Sequence, residues 1–151
     1  MKTGFSLVEL LIVVAILGIL AAIVVPQFQS QSQQAREAAA KDNLRILRQQ
    51  IELYAAQHND IPPGYPNDDP LQTPTYKIFL LQMVINGSYL SNTPKNPFNN
   101  NTIIQMVHHG ESFPTEPLLT DLYGWIYQPE TKTIKLNWPG TDSDGVSYYD
   151  Y

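Results

Sequence analysis

The chain opens with a long apolar segment. From Phe5 to Val25 nearly every side chain is leucine, isoleucine, valine or alanine, and Pro26 follows directly. A helix rises about 1.5 Å per residue, so this segment would span roughly the 30 Å hydrocarbon core of a bilayer. Glu9 is the one carboxylate inside the run. The pattern therefore predicts a helix of membrane length with a charged side chain near its start.

After Pro26 the pattern changes to a polar, helix-forming stretch from Gln27 to about His58. Glutamine, alanine and arginine are frequent here, and neither glycine nor proline interrupts it. Larger side chains recur at alternating spacings of three and four, which places them on one helix face. This stripe consists of Leu44, Leu47, Ile51, Tyr54 and His58, and we expect Ala35, Ala38 and Ala39 to extend it toward the N-terminus. The stripe predicts packing against the sheet of the protein's own head rather than a coiled coil.

The rest of the chain predicts a small head. A loop rich in proline, asparagine and aspartate runs from Asp60 to about Gln72. Thr73 followed by Pro74 is typical of a helix start, and Gly87 of a helix end. The buried face of this short helix would consist of Tyr76, Phe79, Leu80, Met83 and Val84.

Alternation predicts a strand within Thr102–His109 and a hairpin formed by Gly124–Tyr127 and Thr133–Asn137. Trp125 and Tyr127 would share one sheet face with Ile134, Leu136 and Trp138. We expect that face to lie on the long helix. The predicted fold class is therefore α+β, with a long N-terminal helix packed on a small antiparallel β-sheet.

Composition narrows the function classes. The formal net charge of −5 becomes −6 when residues 1 to 4 are removed, because Lys2 leaves with them. Such a surface is not suited to covering phosphate backbones, so no nucleic-acid partner is expected. The chain has no cysteine and therefore no disulfide. No phosphate-binding loop, nucleophile elbow or paired-carboxylate motif is apparent, so we predict no catalytic residue and no enzymatic activity.

Three interpretations of the apolar run compete. An ordinary secretory signal has an apolar region of about 7 to 15 residues before a small-residue cleavage site, and this run is longer, although Ala21 and Ala22 weakly imitate such a site. The second interpretation is a permanent membrane anchor, and the third is a leader that is cut before the apolar run. Glu9 bears on the choice, because a carboxylate at the bilayer centre costs about 2.5 to 3.5 kcal/mol and needs a compensating partner.

Residues 2 to 11, read as KTG followed by FSLVELL, resemble the processing motif of type IV prepilins and type II secretion pseudopilins. The resemblance implies that a membrane aspartyl peptidase, the prepilin peptidase, cuts between Gly4 and Phe5 and methylates the new amine. It also implies that Glu9 pairs with the Phe5 amine of a neighbouring subunit during assembly. In that family the helix loosens within a fibre, here between Gly18 and Pro26.

The resemblance implies a filament subunit with four segments. These are a leader (1–4), a hydrophobic helix (5–25), an amphipathic helix (26–58) and a head (59–151). The expected partners are further copies of the chain in a helical filament, the prepilin peptidase, an inner-membrane assembly platform, and minor pilins or pseudopilins. The expected location is a single pass of the inner membrane, with the head in the periplasm or outside, and then the filament.

A second resemblance lies in the head. The segment 87–98, read as GSYL and then TPKNPF, resembles the region after the helices in the major pseudopilin of type II secretion. It favours a pseudopilin whose filament drives protein export. A pilin of a surface pilus has the same architecture and stays open as an alternative.

The C-terminal loop has the one cluster with metal-ligand character. Asp142 and Asp144 alternate before Gly145, a pattern that suits a hard cation such as calcium. An EF-hand is excluded, because the chain ends at Tyr151 before the glutamate that closes such a loop. The major pseudopilin carries calcium in its C-terminal loop, which implies Asp142 and Asp144 as ligands and Asp150 as a third. The competing interpretation is a solvated Asx turn.

Two function classes compete with a filament subunit. A signal-anchored periplasmic binding module would keep its N-terminus and recognise a ligand through its aromatic C-terminal region. A secreted enzyme would require cleavage near Ala22 and a catalytic group.

Overall fold

The structure is a computed structural model that describes residues 6–87, 89–118 and 120–151. The chain forms two compact units, of which the first ends at Ala35 and the second runs from Arg36 to Tyr151. Helix α1, Leu7–Gln57, contributes residues to both. The two predicted helical stretches are therefore confirmed as one helical element.

The first unit contains the apolar part of α1. All side chains from residue 6 to residue 25 are exposed in the single chain. Within the described residues, α1 is the one helix long and apolar enough to cross a membrane, with a mean hydropathy of 3.1 over its most apolar 18-residue window. Its backbone is helical at Gly18 and through residues 22–26, where loosening is expected only inside a fibre.

The second unit is the head. After α1 a single 3-10 turn, Pro66–Asp68, interrupts the loop. Helix α2, Tyr76–Leu80, continues directly into a π-helical turn, Leu81–Ile85. Strands β1 (Ile104–Met106), β2 (Trp125–Gln128) and β3 (Thr133–Leu136) form the sheet, and a 3-10 turn, Tyr148–Asp150, lies near the C-terminus.

The sheet has the order β1-β2-β3 and is mixed. The predicted hairpin is confirmed, because β2 and β3 pair antiparallel with Trp125 opposite Leu136. The expectation of a wholly antiparallel sheet is wrong, since β1 pairs parallel with β2. A parallel neighbour requires a long crossover. Here the segment 107–124 supplies it, and its described residues, 107–118 and 120–124, form no helix, so helical periodicity gives no sign of the crossover.

The core confirms the predicted contact between the stripe on α1 and one sheet face. Buried side chains from α1, α2 and all three strands form a single cluster, and Trp125 within it is fully buried. The cluster includes Leu44, Leu47, Ile51, Tyr54, Phe79, Met83, Tyr127, Ile134 and Leu136. The opposite face of β2 is covered too, because Ile126 packs with Val107 and Tyr149 beneath Phe113 and Leu118 of the crossover. The irregular crossover thus acts as the second layer of the sheet.

Asparagine side chains fix this crossover where regular structure is absent. The amide of the fully buried Asn96 donates to the carbonyl oxygens of Gly124 (3.0 Å) and Asn137 (3.3 Å). Its oxygen accepts from the backbone N–H of Phe98 at 2.9 Å. Asn99, Asn101 and Asn137 donate in the same way to backbone carbonyls within residues 120–123.

Two local predictions need correction. The N-cap of α2 is Thr75 and not Thr73, because the Thr75 hydroxyl accepts from the N–H of Ile78 and the Thr75 backbone is extended. Pro74 precedes the cap instead of starting the helix. The second correction concerns the stripe on α1, whose extension through Ala35, Ala38 and Ala39 is wrong because all three side chains are exposed.

The stripe continues through Glu37 and Ala40 instead. These positions lie seven and four residues before Leu44, in phase with the helical repeat. A glutamate therefore occupies a core-facing position, where it requires hydrogen-bond partners.

Candidate functional site

Of the three residues predicted for the N-terminal processing and assembly site, the structure describes Glu9. It lies in the first turn of α1 and is exposed among apolar side chains that are exposed as well, such as Leu10 at 58%. A carboxylate in the first helical turn is favoured by the helix dipole. Gly4 and Phe5, the predicted cleavage residues, lie outside the described residues. Glu9 thus stands on an apolar surface that requires a covering, whether lipid or other helices.

The second site joins α1 to the C-terminal loop through Glu37. The hydroxyl of Tyr148 donates to Glu37 Oε1 at 2.9 Å, and that of Ser143 to Oε2 at 3.4 Å. Glu37 and Tyr148 are both buried. The stripe as predicted contains apolar residues and His58, so it does not include this glutamate. Its spacing of seven from Leu44 was the available signal.

Asp142 closes the C-terminal loop as an Asx turn. Its Oδ1 accepts from the backbone N–H groups of Asp144 (3.0 Å) and Val146 (2.9 Å). Its Oδ2 accepts from the hydroxyl of Tyr151 at 2.7 Å and from the ammonium of Lys41 at 3.2 Å. Gly145 has a φ of +81°, a left-handed conformation that favours glycine. The predicted Asx turn is therefore present, but it is not solvated, because the Asp142 side chain is only 1% exposed.

These donors also set the charge of Asp142. The hydroxyl of Tyr151 has the largest effect, and the Val146 N–H, Lys41 and the Asp144 N–H add to it against the opposing effect of burial. Together they lower the pKa of Asp142 to about 2. Burial, followed by the bond to Asp142, raises the pKa of Tyr151. Lys41 also lies over the ring of Tyr151, at 4.2 Å from its centroid.

The three predicted calcium ligands are not brought together. Asp142 has its oxygens taken by four protein donors, whereas Asp144 is exposed. Asp150 pairs with Lys135 at 3.1 Å. In the part of the chain that is described, no three histidine or acidic side chains form a group suited to a metal ion. Because Lys41 already supplies the positive charge beside Asp142, the donor set as folded does not fit calcium, and that site stays a prediction.

The N-terminal residues match a known family model. Residues 1–25 match the prokaryotic N-terminal methylation motif. This range covers the predicted cleavage residues, Glu9 and the apolar helix. A membrane-anchored pilin fits both this motif and the apolar part of α1.

Similarity to known proteins extends into the head. The type II secretion system core protein G of Vibrio cholerae is 30% identical over 106 residues, which are 66% of this chain and 67% of that protein. The protein of the same name from Pseudomonas aeruginosa is 43% identical over 53 residues, 35% of this chain and 37% of the relative. The type IV major pilin protein PilA of Myxococcus xanthus is 52% identical over 44 residues, 29% of this chain and 20% of the pilin.

The matches to the Pseudomonas and Myxococcus proteins thus span less than two thirds of either relative. No solved structure gives a significant match to the chain. The Vibrio relative is matched over a stretch too long for the methylation motif alone, and the long helix with a small α+β head agrees with a pilin architecture. The chain therefore belongs to the type IV pilin-like family that includes the type II secretion system core protein G.

Proposed function

We propose that the chain is a structural subunit of a pilus-like filament, and specifically a type II secretion pseudopilin whose polymerisation drives protein export. The observation that carries the proposal is Glu9, a carboxylate on an otherwise apolar helical segment whose side chains are all exposed from residue 7 to residue 25. A soluble head has no use for such a segment. A filament uses it twice, as a membrane anchor before assembly and as the buried core afterwards.

Cleavage between Gly4 and Phe5 would create a partner for Glu9. The new amine of Phe5 is a cation, and Glu9 of an adjacent copy is its counter-charge. Opposite charges attract far more strongly in an apolar helix bundle than in water. Breaking such a buried pair by removing one partner is strongly unfavourable, which makes the pairing a condition for docking.

The same proposal gives the chain its location and partners. Before assembly the apolar helix holds the subunit in the inner membrane as a single pass, with the head on the periplasmic side. The prepilin peptidase acts in that membrane, and an inner-membrane platform moves the processed subunit into the filament. Minor pseudopilins are part of the same filament. Contacts between subunits are heterologous, which gives an open helical assembly.

A pilin of a surface pilus is the second candidate. The support for this candidate is the match to the Myxococcus pilin, which is 52% identical but covers only 44 residues. The pseudopilin is preferred because similarity to core protein G runs over 106 residues and hence into the head. A secretion assay distinguishes the two candidates. Only a pseudopilin should restore protein secretion to a strain that lacks its own core protein G.

The first experiment is the intact mass of the chain purified from a host that contains the prepilin peptidase. We expect the mass of a chain that begins with a methylated Phe5. The variant Gly4→Arg is the matched control and should keep all of its first four residues. Electron microscopy of sheared cells should show filaments of the unsubstituted chain. An intact Met1 in the unsubstituted chain, without filaments, would contradict the proposal and favour a signal-anchored binding module.

A further inference from the structure

A groove of about 480 Å³ lies along one side of α2 and the turn that follows it. Tyr76, Leu80 and Val84 form its apolar wall, and all three are half-buried although their neighbours Phe79 and Met83 are fully buried. The other wall is the segment 92–95, with Thr102 beside it. An apolar wall left open in this way suits an inserted apolar side chain.

The second wall of the groove is rigid and polar. The indole N–H of Trp125 donates to the carbonyl of Pro94 at 2.9 Å, and Asn43 donates to that of Lys95 at 2.9 Å. The hydroxyl of Thr93 is buried and has no hydrogen-bond partner in the described structure. A fixed wall of this kind needs little reordering when a ligand binds.

Lys95 gives the groove its charge. The side chains of Lys41, Lys132 and Lys135 each form an ion pair within the head. Lys95 is exposed and has no such pair among residues 6–87, 89–118 and 120–151. The groove therefore combines an apolar wall with the charged side chain of Lys95, to which an acidic group of a ligand could bind.

A matching projection is present on the same head. Leu71 is 92% exposed, the highest value among the large apolar side chains of the described residues. The carboxylate of Asp69 fixes its loop, since Oδ1 accepts from the N–H of Leu71 (3.0 Å) and Oδ2 from the amide of Gln72 (3.2 Å). Asp69 forms no ion pair within the described part of the head. The loop thus presents an apolar side chain next to an acid.

The groove and the loop lie on different sides of α2. The amide of Gln82 donates to the carbonyl of Tyr65 at 2.8 Å and to Asp68 at 3.0 Å, so the loop lies on the Gln82 side. Leu80 and Val84 are two positions away from Gln82, and side chains at that spacing point in roughly opposite directions on a helix. A contact between two different surfaces of the same molecule is heterologous, and it gives an open, head-to-tail chain of copies when the rotation between copies does not close a ring.

We propose that Leu71 of one copy inserts into the groove of the next copy, with Asp69 facing Lys95. This contact rests on the proposed filament and supplies a second interface, between heads, in addition to the pairing of Glu9 with an N-terminal amine. It links each head to two neighbours through different surfaces. The occupant of the groove is therefore a second copy of this chain.

Cysteine crosslinking tests the contact directly, because the chain contains no cysteine of its own. In assembled filaments of the full chain, the double variant Leu71→Cys with Asn92→Cys should give a ladder of crosslinked multimers with a short thiol crosslinker. Asn92 is exposed at the edge of the groove. The control pairs Asn92→Cys with Leu122→Cys, which is 64% exposed but lies outside the loop, and it should give no ladder.

A second measurement uses the yield of filaments per subunit produced. Leu71→Ser should lower that yield about tenfold, the effect of losing one buried leucine from a contact, while Leu122→Ser should leave it unchanged. Filaments that form with no ladder and with equal yields for both serine variants would overturn the head contact but leave the proposed function intact. If the unsubstituted chain is uncleaved and forms no filament, the proposed function fails and the contact with it.

Discussion

The ammonium of Lys41 lies 3.2 Å from Oδ2 of Asp142 and thereby joins α1 to the C-terminal loop. The Asp142 side chain is 1% exposed, whereas that of Lys41 is 53% exposed. Lys41 balances the charge of Asp142, and the hydroxyl of Tyr151 donates a hydrogen bond to the same oxygen. Lys41 and Tyr151 thus contact the Asp142 oxygen that the sequence suggested as a ligand of a divalent cation.

The pH dependence of stability should report on Asp142. Its pKa is lowered to about 2 in the folded chain, below the ordinary value of 3.8. A carboxyl group with a lowered pKa stabilises the fold above its unfolded pKa, and that stabilisation is lost as the pH falls through the folded pKa. The melting temperature of the wild-type chain should therefore exceed that of Asp142→Asn at pH 6, and the difference should shrink between about pH 4 and pH 2.

The measurement is thermal unfolding of both detergent-solubilised chains by circular dichroism from pH 2 to pH 7. Asp144→Asn is the matched control, because Asp144 is exposed and its side chain forms no hydrogen bond or ion pair with the residues that the structure describes. Its curve should follow that of the wild type. A constant difference between wild type and Asp142→Asn at every pH would contradict the assignment.

Calcium removal tests the remaining prediction for the loop. Because Asp142 is already bound by four donors, we expect the same melting temperature in calcium and in chelator. Ligand binding to the folded state alone raises stability with ligand concentration. A calcium-dependent rise in the melting temperature, abolished by Asp144→Asn, would restore the calcium site.

Asn96 should matter more to the stability of the head than its small size suggests. Its fully buried amide holds two carbonyl oxygens and one N–H. Leaving buried polar groups without partners costs about 1 to 3 kcal/mol, so Asn96→Ala should lower the free energy of unfolding by at least that range. Urea unfolding of the detergent-solubilised chain measures it. Asn92→Ala is the control, since Asn92 is exposed, and an equal effect of both substitutions would contradict this role.

Elements with a strong repeat were predictable from sequence. The spacing of Leu44, Leu47 and Ile51 identified the core face of α1, and alternation identified the hairpin of β2 and β3. Alternation also identified β1 within Thr102–His109, but its parallel pairing with β2 was not predictable, because only three residues pair and the crossover has no periodic pattern. Side-chain hydrogen bonds from asparagines, which hold that crossover, leave no such pattern either.

The candidate site divided in the same way. Glu9 was identified because an acid in an apolar run is unfavourable in membrane and therefore conspicuous. Glu37 was missed because it lies among polar residues, where only its phase relative to Leu44 marks it as buried. Lys41 was missed as the partner of Asp142 because 101 positions separate the two residues, and only the folded head brings them together.

Glu9 provides the sharpest test of assembly. Glu9→Ala leaves Gly4 and Phe5 unchanged, so cleavage and methylation should proceed as in the wild type. The amine of Phe5 would then be buried without a counter-charge, at a cost of roughly 3 to 5 kcal/mol per contact. Since each 1.4 kcal/mol is about tenfold in affinity, filaments should become undetectable. The measurements are the mass of the purified chain and electron microscopy of the same culture.

Val8→Ala is the matched control, because Val8 is adjacent, exposed and apolar, and the substitution keeps that position uncharged. It should allow both cleavage and filaments. The two variants separate the loss of charge from the loss of apolar surface, because Glu9→Ala increases the apolar character of the helix while Val8→Ala reduces it. Normal filaments from Glu9→Ala would mean that apolar packing alone assembles the subunits, and the pairing of Glu9 with a neighbouring amine would have to be abandoned.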